Sequence, residues 1–174
     1  EVRALADAGC NYIQVDEPVF ARKPNEALAY GFEDLERTYY GLPSEVTRVV
    51  HMCCGYPNSL DSEGYKKADK DSYLQIADAI EDSSVEEVSF EDAHRHNELS
   101  LLEKFSKTRV ILGVVEIARS RLESIDEVRD RLSTALEHID RERLIVAPDC
   151  GLGFFNREQA VAKMKVMSKA ARSL

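Results

Sequence analysis

The chain changes hydrophobic period again and again along its length, and that alternation constrains its fold more than any other feature. Short apolar, β-branched runs occur at "NYIQVDEP" (11–18), "TRVVHMCC" (47–54), "VEEVSFED" (85–92), "RVILGVVEI" (109–117) and "RLIVAPDCG" (143–151). Between them lie segments with helical periodicity, over roughly 26–40, 63–81, 97–107, 123–138 and 156–172. The stretch "SIDEVRDRLSTALEHI" is the clearest: Ser124 caps, Glu127 completes a capping box, and Ile125, Val128, Leu132, Leu136 and Ile139 make one apolar stripe. Strand-like runs alternating with helices predict βα units on a parallel sheet.

Two architectures satisfy that pattern, a doubly wound open sheet and a (β/α)8 barrel. A dinucleotide-binding sheet wants a glycine-rich turn after its first strand, yet here the first strand ends in Asp16-Glu17-Pro18, and "GLGF" (151–154) is a short glycine signal. All five predicted strands carry polar or reactive residues toward their C-terminal ends: Asp16 and Glu17, His51 and Cys53, Glu91 and Asp92, Glu116, Asp149 and Cys150. In a barrel those ends share one mouth, where active sites sit. The fold class expected is therefore α/β, the C-terminal part of a (β/α)8 TIM-type barrel with about five βα units. Residues 1–174 then form a single barrel fragment whose first strands lie upstream, in keeping with the abrupt charged helix "EVRALADAGC" at the start. Five strands without their partners leave two bare sheet edges, so self-association or the remainder of the barrel is expected to cover them.

Composition narrows the partners. The net charge is −9, from 32 acidic and 23 basic residues, which argues against nucleic acid, since phosphate neutralisation needs a basic face. No apolar run approaches the roughly 18 residues of a membrane span. The four cysteines, at 10, 53, 54 and 150, are too few and scattered for a secreted disulfide framework. A reducing, cytoplasmic setting is expected.

On a strand, residues i and i+2 share a face, so His51 and Cys53 project together while Met52 points away. Alone, a His-x-Cys pair is more often a core histidine beside a buried cysteine than a metal site. Glu91 and Asp92 alone read as helix caps or solvent-facing carboxylates. Together with Cys150, however, His51, Cys53 and Glu91 bring an imidazole, two thiols and a carboxylate to the same end of three strands, a donor set suited to tetrahedral zinc. Cys54, facing away from Cys53, is expected to be a small core residue. Tyr39 and Tyr40 are expected to pack between helix and sheet, and His138 to sit late in a helix.

These stretches resemble the cobalamin-independent methionine synthases in their catalytic zinc barrel. "YIQVDEP" is similar to the family's Ile-Asp-Glu-Pro strand end, "HMC" to its His-x-Cys zinc pair, "VSFE" to the strand delivering a glutamate ligand, and "APDCGL" to the segment delivering the last cysteine. The resemblance implies zinc held by His51, Cys53, Glu91 and Cys150, with Asp16 contacting the amino group of a homocysteine-like acceptor and Glu17 beside it as a further substrate contact. The partners implied are a small thiol and a methyl or alkyl donor, and the implied reaction is methyl transfer to the thiol.

The chain departs from that family at "GVVEIARS" (113–120), where Glu116 occupies the position of an aspartate and Ala118 that of a histidine credited with protonating the folate leaving group. Methyl-folate departs poorly without a general acid. His94 or His96 in "EDAHRHNE" (91–98) is one replacement, against the alternative that both lie on the solvated start of a helix. Another electrophile is the second way out: an epoxide opened by coenzyme M or a similar thiol, with Arg119 or Arg121 binding an anionic group. A zinc-binding relative without catalysis is a third reading. The polar stretch 55–71 is either a substrate loop or a tolerated surface insertion.

Overall fold

The computed structural model describes residues 1–62 and 64–174. Strands β1 (Tyr12–Asp16), β2 (Thr47–Met52), β3 (Glu87–Glu91), β4 (Arg109–Val115) and β5 (Leu144–Pro148) form one parallel sheet. Each lies inside one of the apolar runs. Their order in space, β1-β2-β3-β4-β5, is their order in sequence. A doubly wound sheet reverses direction at a switch point; a sequential order is that of consecutive barrel units. The dinucleotide alternative therefore falls on topology.

Side chains alternate across the sheet with the strand period of two. Ile13, Val50, Met52, Val88, Phe90, Val110 and Leu112 belong to the buried core, together with helix residues such as Leu35, Ile76, Ile80, Val128 and Leu132. Phe90 is central to it, with the Tyr73 ring 4.6 Å away and the Phe105 ring 5.6 Å away. Each such aromatic pair adds about 1 kcal/mol beyond area burial. On the other face, Asp16, His51, Ser89 and Ile111 pair successively across the sheet and stand at one level. That face carries the polar residues.

The helices are α1 (Val2–Asp7), α2 (Pro24–Glu26), which runs through a π-helical turn at Ala27–Gly31 into α3 (Phe32–Tyr39), then α4 (Ser72–Asp82), α5 (Ile125–Ala135) and α6 (Arg157–Arg172). The capping box at Ser124 and Glu127 forms as expected, and Asn156 with Gln159 makes another at the start of α6. The Lys163 ammonium of α6, 1% exposed, is 2.9 Å from both oxygens of Glu123, which lies beyond the end of β4.

Several expectations are corrected. The helix expected over 63–81 begins only at Ser72; residue 63 lies outside the described residues, and 64–70 run as irregular chain because their lysines and aspartates offer no apolar stripe for the core. The segment over 97–107 makes only a 3₁₀ turn, Leu99–Lys104. No helix starts at His94 and His96: residues 92–98 form turns and open chain. Asp92 neither caps a helix nor meets solvent, because Arg131 grips it with two hydrogen bonds of 2.7 Å. Tyr39 packs as expected, its hydroxyl donating to the Val49 carbonyl at 2.6 Å, whereas Tyr40 is exposed with Arg3 over its ring. His138 lies beyond the end of α5 and pairs with Glu103 at 2.6 Å.

Candidate metal centre

β2 ends on His51 and Met52, and the chain continues through Cys53 and Cys54, both buried. Glu91 is the last residue of β3, and Cys150 lies two residues beyond the end of β5. Parallel pairing puts these ends at one rim of the sheet. One ligand atom from each of His51, Cys53, Glu91 and Cys150 lies within 4.8 Å of the other three. The four residues expected from sequence to share a site are brought together.

The imidazole is already oriented. His51 Nδ1 lies 2.9 Å from Ser89 Oγ, while Nε2 is buried and has no hydrogen-bond partner among the described residues. With the proton assigned to Nδ1 and given to Ser89, Nε2 presents a lone pair. An orphaned buried acceptor is costly unless something binds it, and beside two sulfurs and a carboxylate it is suited to a cation. Burial pulls the His51 imidazole down, but Cys53, Glu91 and Asp16 outweigh this and hold it raised. The two thiols act on each other: the neighbouring Cys53 holds Cys150 low, and Cys150 together with burial pushes Cys53 up. The donor set therefore fits a metal that takes nitrogen and sulfur, and zinc fits best.

Glu91 is fully buried and heavily partnered. Its Oε1 accepts from the Cys54 amide at 2.9 Å, and its Oε2 accepts from Lys67 Nζ at 2.5 Å and from Cys54 Sγ at 3.2 Å. Burial pushes this carboxyl up, yet Lys67 and the hydrogen bonds pull it below its ordinary range. Cys54 is buried as expected but does more than fill the core. Burial and the neighbouring Glu91 push its thiol up to about 12, so it stays a neutral donor to that carboxylate.

A cleft of about 640 Å³ opens over the centre, lined among others by Asp16, Arg22, His51, Cys53, Tyr56 and Cys150. Asp16 stands level with His51 across the β1–β2 pair. Glu17 faces elsewhere: its carboxylate accepts the amides of Val19 and Phe20 at 2.8 and 3.3 Å, fixing the turn after β1. Glu116 and His94 are not among the residues lining the cleft. Glu116 is half-buried near Arg119 and raised by burial. His94 stands behind Glu91, 3.5 Å from its Oε2. Arg121 is spent on Glu127 at 2.8 and 2.9 Å, and Arg119 sits 3.5 Å from the Asp61 carbonyl, so neither arginine lines the cleft.

Sequence reasoning missed Ser89, Lys67 and the role of Asp149. Ser89 was within reach, since it lies two residues before Glu91 and so on the same face. Nothing periodic marks Lys67.

The sequence profile described as "Cobalamin-independent synthase, Catalytic domain" matches residues 1–173. The chain belongs to that family. Methionine synthase of Pyrococcus abyssi is 30% identical over 173 residues, 99% of this chain and 46% of the relative. That of Thermococcus kodakarensis is 31% identical over 170 residues, 97% of this chain and 45% of the relative. Among solved structures, a B12-independent methionine synthase from Shewanella sp. W3-18-1 in complex with selenomethionine superposes with a TM-score of 0.87 at 27% identity, over 99% of this chain and 51% of that one. A methyltransferase from Methanosarcina mazei shares the fold, with a TM-score of 0.66 at 19% identity. The chain spans about half the length of the curated relatives it matches, and its five-stranded sheet is the corresponding part of the family's barrel.

Proposed function

We propose that the protein transfers a methyl group to a small thiol such as homocysteine, making a methionine-type product, with zinc held by His51, Cys53, Glu91 and Cys150. The observation that carries this is the buried His51 Nε2, without a hydrogen-bond partner among the described residues, beside two sulfurs and a carboxylate. The zinc would supply the Lewis acidity that keeps an acceptor thiol deprotonated at neutral pH, the form in which sulfur attacks carbon. Ser89 fixes the imidazole tautomer. Asp16, at the cleft wall, is suited to accept hydrogen bonds from the acceptor's amino group. Tyr56, whose hydroxyl donates to the Gly151 carbonyl at 2.8 Å and whose ring stacks on Phe154, shields the approach to Cys150. The Shewanella relative's complex with selenomethionine supports an acceptor of this kind. The relatives' greater length supports a longer protein whose further strands complete the barrel and line the donor side.

A second reading concerns the donor. The position where the family is expected to carry an acid histidine holds Ala118, fully buried, with its carbonyl accepting the Asp61 amide at 2.8 Å. His94, the sequence's replacement acid, stands behind Glu91. This favours a donor whose leaving group needs little protonation, methylcobalamin-like or epoxide-like, over methyl-folate.

The test is metal content followed by transfer. About one zinc per chain, as a single four-ligand site requires, with a sharp loss in Cys150→Ser and either methylation of homocysteine by a methylcobalamin or methyl-folate donor or thioether formation from an epoxide, is the expected result. A parent protein without zinc sinks the proposal.

A further inference from the structure

The irregular stretch between β2 and α4 delivers a charge to the centre that the ligand set itself does not call for. The Ala68 amide donates to the Cys54 carbonyl at 2.7 Å, which lays residues 64–68 across the end of β2. Gly55 permits the close approach: its φ is +149°, and a Cβ there would lie 2.6 Å from the Lys66 carbonyl oxygen. Lys67 thereby turns inward. Its side chain is 11% exposed, its ammonium meets Glu91 Oε2 at 2.5 Å, and it also lies 4.8 Å from the centre of the Tyr65 ring.

A buried lysine must repay its desolvation, and an anchor for a surface loop needs no buried charge. The ligands explain it better. Two thiolates and a carboxylate carry three negative charges against the two positive charges of zinc. Lys67 brings the sum to neutrality. An acceptor thiolate then adds one unbalanced negative charge instead of two, in a setting of low dielectric where that difference is large. The geometry leaves room for this role, because Lys67 occupies only Oε2, while Oε1 keeps a lone pair beyond its bond to the Cys54 amide.

We propose that Lys67 is a positioning residue which balances the charge of the metal centre so that an anionic acceptor can join it. This rests on the thiol-alkylation reading and adds to it a preference for anionic over neutral ligands.

The experiment compares two ligands on the metal-loaded protein. Cobalt substituted for zinc reports thiol binding through sulfur-to-cobalt charge-transfer absorption, and imidazole binding through its visible bands. In Lys67→Met, homocysteine affinity is expected to fall about tenfold or more while imidazole affinity stays within about twofold, since only the thiolate brings charge. Lys67→Arg, which keeps the charge, is expected to restore most of the thiol affinity. The ratio of the two affinities is read on protein that is folded and loaded, so lost stability does not imitate the effect. Equal losses for both ligands, or no loss for either, overturn the role of Lys67 and leave the methyl-transfer reading standing. A parent protein that takes up no metal, or no thiol once loaded, overturns both.

Discussion

Asp149 and His94 are joined side chain to side chain, Oδ2 to Nδ1 at 2.9 Å. The same carboxylate accepts the backbone amides of Asp92, Ala93 and His94 at 2.8, 2.8 and 2.9 Å. Asp149 immediately precedes Cys150, and Asp92 comes immediately after Glu91, two of the residues proposed to hold the metal. One buried aspartate therefore ties together the two strand ends that carry Glu91 and Cys150. His94, whose Nε2 lies 3.6 Å from Cys54 Sγ, closes the back of that arrangement.

Asp149→Ala removes the acceptor from three amides and an imidazole at once. Charge-assisted hydrogen bonds of this kind support a loss of about 3 kcal/mol in urea denaturation, and metal affinity by chelator competition is expected to fall at least about tenfold. Asp149→Asn keeps one oxygen and should fall between. Unchanged metal affinity in the alanine variant would show that the two strand ends hold their spacing without it.

Ser89→Ala isolates the orientation of His51. The imidazole keeps its place on β2 but loses the partner that holds the proton on Nδ1. Metal affinity should drop about 10–100-fold, the usual cost of losing such a supporting bond, while stability changes by about 1 kcal/mol or less. A drop in stability with intact metal binding would assign Ser89 to packing instead.

The strands, and the shared face of His51 and Cys53, are legible in the sequence because both are periodic. Val49, Val50, Val88, Val110 and Ile111 announce buried strands by β-branched composition, and His51 with Cys53 declares a shared face by spacing alone. Aperiodic, long-range contacts are not legible. "KKADKD" carries no apolar stripe, and nothing in it marks that Lys67 meets a buried carboxylate at the end of β3, a partner 24 residues further along the chain. His94 reads as a residue of a solvated helix for the same reason: its partner Asp149 lies 55 residues away, and only the assembled sheet brings them together.

Acid stability should depend on Glu81, at the end of α4. Its Oε1 accepts from the Ser106 hydroxyl and from the amides of Ser106 and Lys107 at 2.6, 2.9 and 2.9 Å, and Oε2 from the Thr108 amide at 3.2 Å. Partial burial pushes this carboxyl up, but those donors outweigh it and pull it down to about 2. A carboxyl lowered in the folded state contributes stability above its unfolded value, near 4.5, and loses that contribution as pH falls toward 2. Glu81→Gln should cost about 1 kcal/mol at pH 7, the partial exposure discounted, and the gap to the parent should close by about pH 2. A gap independent of pH in urea titrations would mean that the carboxylate's charge contributes nothing.

Gly113 tests whether the position of Asp149 is set by space as well as by hydrogen bonds. A Cβ on Gly113 would lie 2.6 Å from Asp149 Oδ1 and 3.0 Å from the Phe90 carbonyl oxygen. The β4–β5 register also shifts there, between Gly113 and Val115. The carboxylate cannot retreat without releasing the amides after Glu91, so Gly113→Ala is expected to cost about 1–3 kcal/mol as an overpacked site and to weaken metal binding with it. The same Cβ would lie 2.7 Å from the Asp149 Cα, a contact that Asp149→Ala leaves in place, so combining the two substitutions should relieve only the side-chain part of the clash and fall somewhat short of the sum of the separate losses. Simple additivity in that double variant would mean that the clash falls on the backbone, at the Asp149 Cα and the Phe90 carbonyl, and that the Asp149 carboxylate keeps its place by its hydrogen bonds alone.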